Sequence, residues 1–172
     1  MSPASGSSRF SRVRARFTSL SDVILAVRVM WWASVLPLLK WMLPIRSLVK
    51  LAWRTPRVPH DDARDDRVLA FSRWACRITR WRSGGNCLER GLISYRFLLE
   101  GGAAPTLVVG MRRADETGVI GHAWVLLHGA PAGESLESVK DYVPMFAFGP
   151  DGGLVRSFEP SKDTSALSPT SR

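Results

Sequence analysis

Cysteine is scarce in this chain: its 172 residues contain two, Cys76 and Cys87. They form no CxxC pair and the three His show no HxxxH spacing, which argues against both a disulfide scaffold and a zinc site. Long uninterrupted apolar runs are missing too. The most apolar stretch, VILAVRVMWWASVLPLLKWMLPIRSLVKLAW, is broken by Arg28, Lys40, Arg46, Pro37 and Pro44, whereas a spanning helix wants about 20 mostly apolar residues. Zinc-finger, RNP and helix-turn-helix signatures are lacking, and the Arg residues stand singly between apolar positions, so no nucleic-acid partner is expected. With no secretory signal and no cofactor motif, the expectation is a cytoplasmic protein without cofactor or metal. Its Trp-rich stretch, with Trp31, Trp32, Trp41 and Trp53, offers peripheral contact with a membrane surface.

What the chain does have is uneven charge. Residues 1–100 carry eighteen Arg and Lys against seven acids, +11, while residues 101–172 carry six against eight, −2. Such a basic half suits an acidic peptide or protein partner, or an anionic membrane surface. The length allows one domain of ordinary size with a real core.

The hydrophobic pattern divides the chain. Residues 1–19, rich in Ser and Arg, read as a disordered start. Residues 20–57 read as Trp-rich helices punctuated by Pro37 and Pro44. Residues 58–66, within TPRVPHDDARDD, read as a polar hinge, and 67–150 as the main core. Val68, Phe71, Trp74, Ala75, Ile78 and Trp81 recur at helical spacing, and Cys76 is expected to pack near that buried face. A second helix runs from Cys87 to about Glu100, with Leu88, Leu92, Tyr95 and Leu99 on one face and Gly101-Gly102 as the stop. The period then shortens to that of strands: TLVVGM and GHAWVLL, joined by RRADETG, predict an antiparallel hairpin with His122 early on its second strand. The tail, 151–172, contains a candidate short strand, LVRSF, and otherwise reads as disordered.

Within this pattern Cys87 and His122, thirty-five residues apart, hold the settings of a nucleophile and its base. In SGGNCLERG, Asn86 is a good N-cap, which puts Cys87 at the first helical position. There the free backbone N–H groups and the positive end of the helix dipole favour a thiolate. The order of helix with Cys, strand, strand with His is that of the papain-like and transglutaminase-like thiol enzymes, and the fold class expected is α+β, with a helical N-terminal region and a small antiparallel sheet. Trp124, on the same strand face as His122, is placed to shield the pair, to line a substrate groove, or to serve as a core aromatic.

NCLERGLISYRFLLEGG, then LVVGM, GHAWVLLHG and GESLESVKDYVP, resembles the lasso-peptide biosynthesis B proteins of the stand-alone leader-peptidase type, over about Leu20 to Phe148. LPIRSLVKLAWR is similar to the Pro- and Arg-containing helical N-terminus of that family. The resemblance implies removal of the leader from a ribosomally made lasso precursor peptide, with a separate leader-recognition protein and an ATP-dependent macrolactam synthetase as partners. It places the catalytic Cys on Cys87, the His on His122 and the acidic member, usually Asp, on Glu134, with Asp141 as the fallback. Leu126 and His128 depart from the Glu and Asp that many relatives carry. The same Cys, His, acid order also serves acyl transfer to amines, and a catalytically silent scaffold of the fold is the other alternative.

Overall fold

A computed structural model of the protein describes residues 19–79, 87–114 and 118–155. The expectations for the N-terminal start, Trp81, the Asn86 cap with its Gly-rich loop, the middle of the hairpin turn and most of the tail lie outside these residues.

The apolar stretch forms two helices, α1 (Leu20–Met42) and α2 (Ile45–Ala52), divided by Pro44. Ser19 caps α1, its hydroxyl accepting from the Asp22 N–H at 3.3 Å. Pro37, expected to end a helix, lies inside α1. It lacks one backbone donor, but Ala33 and Leu36 beside it are fully buried, and their packing holds the helix through the gap. The chain then passes to α3 (Asp62–Thr79), which begins inside the segment expected to be a hinge. That polar segment links helices that pack on each other, since α1, α2 and α3 all contribute to one apolar cluster.

Burial on α3 follows Val68, Phe71, Ala75 and Cys76, whereas Trp74 and Ile78, expected in the core, are exposed. Asp65, Ser72 and Thr79 are buried as well, so the covered face is centred to one side of the apolar stripe and leaves Trp74 and Ile78 beyond its edge.

The central element is α4 (Cys87–Glu100), buried along its whole length from Gly91 to Glu100. Its apolar residues meet helices on one side and the sheet on the other. Its charged residues are paired rather than solvated. Lys40 Nζ lies 2.6 Å from Glu89, and Arg28 binds both oxygens of Glu100 at 2.6 and 2.7 Å. Arg96 stacks over Trp32 at 4.2 Å and donates to Leu51 O, while burial pushes its guanidinium down to about 10. These three contacts tie α1 and α2 to α4 in fixed register. As the sequence suggests, α4 stops at a Gly pair: Gly102 takes φ +82° and Ala103 N–H returns to Leu98 O.

The predicted hairpin forms from β1 (Thr106–Ala114) and β2 (Gly118–Leu127), antiparallel with Gly110 opposite His122. His122 falls mid-strand rather than early, because pairing continues into the expected turn. A two-residue turn, His128 (φ 51°) and Gly129 (φ 80°), leads to β3 (Ala130–Pro131). A turn with both central φ positive matches the right-handed twist of a hairpin, and His tolerates that region better than most side chains. The short helix α5 (Leu136–Val139) and strand β4 (Val143–Phe148) follow, neither anticipated from periodicity. The sheet order is β3-β2-β1-β4. One face carries Leu107, Val125 and Phe148 into the helical core, and the other gathers Val108, Trp124, Val139 and Ala147 in a smaller cluster. Of the tail, Leu154 bridges Phe148 and Val155 N–H donates to Ala147 O at 2.8 Å, and the last three residues of LVRSF lie outside the described residues.

Candidate active site

The thiol reaches the sheet because α4 lies unusually close to it. A Cβ on Gly91 would stand 3.0 Å from Leu107 Cδ1 and 3.7 Å from the Ala123 Cβ. Glycine inside a helix costs about 1 kcal/mol against alanine; here it allows the close approach. One turn earlier, Cys87 meets β2 where the strand edge away from β1 has no β neighbour, since β3 pairs only with Leu126 and Leu127. The thiol sulfur therefore accepts from the Ala123 backbone N–H and from Leu88 N–H, and it shares a hydrogen bond with the His122 imidazole.

His122 is held on several sides. Its Nε2–H donates to Glu134 Oε2 at 2.8 Å, which leaves the other ring nitrogen for the thiol. Trp124 stacks on the imidazole, centroids 5.9 Å apart and planes 18° from parallel, and Tyr142 covers it at 5.0 Å. Trp124 is 5% exposed, so it walls the imidazole and has little surface left for a substrate to touch. Its ring crosses β1 at Gly110, where a Cβ would come within 2.9 Å of Cη2 and 2.8 Å of Val143 O. Arg112 in turn donates to the Tyr142 hydroxyl at 3.1 Å.

Glu134 follows β3 on a loop bent at Gly133 (φ 74°). One oxygen serves His122, and the other accepts from Arg90, which rises from α4 three residues after Cys87. Arg90, Gly91, Gly110 and Tyr142 were not singled out from sequence. Arg90 at a spacing of three from Cys87 shares its helix face, and that was the available signal. Asp141 is exposed on the turn after α5, and the carboxylate at the imidazole is that of Glu134.

The protonation pattern follows from these contacts. Burial pushes the Cys87 thiol up, but the His122 bond, the Ala123 N–H, the imidazole's charge and the Leu88 N–H together bring it below its ordinary value. The bonds to Cys87 and Glu134 raise His122 to about 9 against the cost of burial. Burial opposes ionisation of Glu134, and its bond to His122 and the charge of Arg90 outweigh that and hold its carboxyl below the usual range. Both shifts favour a thiolate beside an imidazolium, the state in which sulfur is a nucleophile. Cys76 is its opposite: burial and the nearby Glu89 push that thiol up to about 12.

Elsewhere, among the described residues, His60, Asp62 and Asp65 bring potential metal-ligand atoms within 4.8 Å of one another. His60 Nε2 lies 2.9 Å from Asp65 and 3.5 Å from Asp62 at the start of α3. Asp62 is almost fully exposed, and the group is an ion pair at a helix N-terminus.

A helix start presenting a thiol to an imidazole on a neighbouring antiparallel strand defines the class of α+β folds to which papain-like thiol enzymes belong. The sequence model described as the transglutaminase-like superfamily matches residues 25–147. The chain belongs to that superfamily, and the match takes in most of α1 and all of α2 as well as the thiol helix and the sheet. No curated protein and no solved structure gave a significant match.

Proposed function

We propose that the protein is a cysteine peptidase that removes the leader from a ribosomally made lasso-peptide precursor, with Cys87 as nucleophile, His122 as acid and base, and Glu134 as the group that orients it. The observation that carries the reading is the continuous line of hydrogen bonds from the Cys87 sulfur through His122 to Glu134, at a helix start on a transglutaminase-like fold. The resemblance in NCLERGLISYRFLLEGG and GHAW supplies the substrate.

In this mechanism the Cys87 thiolate attacks the scissile carbonyl carbon, forming the S–C bond while the π electrons move to oxygen. The Cys87 backbone N–H, free of an intrahelical partner at the helix start, is the natural donor to that oxyanion. Collapse breaks the C–N bond, and the imidazolium of His122 passes its proton to the leaving amine of the core peptide. Neutral His122 then takes a proton from water, whose hydroxyl displaces the thiolate and releases the leader as a carboxylic acid. Leader recognition falls to a separate protein, and the freed core passes to the macrolactam synthetase.

The test is reconstitution of the full chain with a precursor and its recognition protein, with products read by mass. Free leader acid and linear core from wild type, and neither from Cys87→Ala, support the proposal. A leader amide formed with an added amine indicates acyl transfer instead, and maturation in cells unaffected by Cys87→Ala indicates a scaffold.

A further inference from the structure

Helix α1 has two apolar faces, and among the described residues only one is covered. Val29, Ala33 and Leu36 of α1 enter the core, while Leu20, Ile24, Val27, Trp31, Leu38 and Trp41 form an exposed stripe at intervals of three, four and seven. It follows the whole 23-residue helix, roughly 34 Å. Trp74 of α3 extends it sideways, closing with Val23, Val27 and Met30 a shallow apolar groove of about 300 Å³. Trp41, at 87% exposed, has almost no protein contact.

The first sixty residues, which contain this stripe, carry charge of nearly one sign. Residues 1–60 contain ten Arg and Lys and a single acid, whereas residues 61–172 contain fourteen of each. The whole net charge of +9 therefore belongs to the first sixty residues. Their one acid, Asp22, is buried and lies 3.2 Å from Arg67 Nε. Arg46 and Lys50 stand exposed just beyond the C-terminal end of the stripe, and Arg9, Arg12, Arg14 and Arg16 precede it in sequence.

We infer that this face docks on an anionic lipid bilayer surface, with α1 lying in the interfacial plane. Exposed Trp and aliphatic side chains suit the boundary between headgroups and acyl chains, and the flanking Arg and Lys suit acidic headgroups. By length and composition alone α1 could cross a membrane. Crossing would strip Val29 and Leu36 from the core and break the Arg28–Glu100 and Lys40–Glu89 pairs. Docking flat leaves all of these in place. The inference is independent of the reaction assigned to Cys87.

The experiment is sedimentation of the full chain with vesicles of phosphatidylglycerol and phosphatidylcholine, and with phosphatidylcholine alone, at low and high salt. Binding to the anionic vesicles is expected to weaken with salt and to fall about tenfold or more in Trp31→Ser/Trp41→Ser. Circular dichroism checks that the variant is folded. Quenching of wild-type Trp fluorescence by brominated acyl chains reads insertion without any variant, and Cys87→Ala should bind as wild type does. Failure to sediment with anionic vesicles, equal partition to neutral ones, or absence of quenching overturns the inference. So does loss, in Trp31→Ser/Trp41→Ser, of a dimer or protein complex with no vesicle binding in wild type.

Discussion

Arg90 binds the carboxylate of Glu134 from one helical turn past Cys87, so the helix that presents the thiol also anchors the group that holds the imidazole. Displacement of α4 would move both ends of the hydrogen-bonded line together.

Arg90 is accordingly expected to act as a positioning residue. Arg90→Met should lower kcat on the order of 10- to 100-fold with little change in KM, because a freed Glu134 lets the imidazole drift. Arg90→Lys, which keeps a charge without the guanidinium fork, should recover part of the loss. Steady-state kinetics of the two variants makes the comparison. Equal kcat in wild type and Arg90→Met would falsify the role.

The two thiols should differ sharply in alkylation by iodoacetamide, followed by peptide mass. Cys87 should react fast below the ordinary thiol range and Cys76 hardly at all, as its buried thiol is pushed to about 12. In His122→Ala the raising effect of burial on Cys87 has one opponent fewer, so its reactive form should appear only at higher pH. If Cys87 titrates identically in both proteins, the ion pair is absent.

The pH dependence of kcat/KM should be bell-shaped. Activity rises as Cys87 loses its proton, below the ordinary thiol range, and falls as His122 loses its own near pH 9. The two limbs are macroscopic properties of the coupled pair. Glu134 stabilises the imidazolium, so Glu134→Gln should move the alkaline limb down. The bell narrows from its alkaline side, and activity at its maximum falls on the order of 10²-fold or more. A bell of unchanged width in Glu134→Gln would remove that carboxylate from the mechanism.

Packing around the imidazole should also show in stability. Gly110→Ala places a methyl within 2.9 Å of the Trp124 ring and 2.8 Å of a carbonyl oxygen. The resulting overpacking should cost about 1–3 kcal/mol, read as a lower denaturation midpoint. An unchanged midpoint would mean that Trp124 moves freely, and His122 would lose its stacking partner with it.

Local signals were enough for much of this fold. Apolar periodicity marked α3, α4 and the β1-β2 hairpin, the Gly pair marked the end of α4, and Cys87 and His122 stood out by position within their elements. Pro37 misled, since one missing donor is outweighed when the neighbouring turns are buried. Trp74 and Ile78 misled too, because hydrophobicity at helical spacing does not say which residues a neighbouring helix covers. The strand β4 was missed because VPMFAF has a Pro within it and shows no alternation, its first four residues being exposed or half-buried and its last two buried.

The sequence by itself determined the elements, their order and the helix start that makes a thiolate favourable, because these depend on interactions within a few residues. Tertiary structure alone decided the carboxylate partner of His122. The family resemblance favoured Glu134 over Asp141, but nothing in the chain's own pattern separates them, and the turn through His128 and the bend at Gly133 bring Glu134 to 2.8 Å from the imidazole. It also decided that Arg90 closes the line, that Gly91 lets α4 approach β2, and that one face of α1 stays uncovered by the described residues. Each of these depends on which surfaces meet across the fold, and no repeat in the sequence records that.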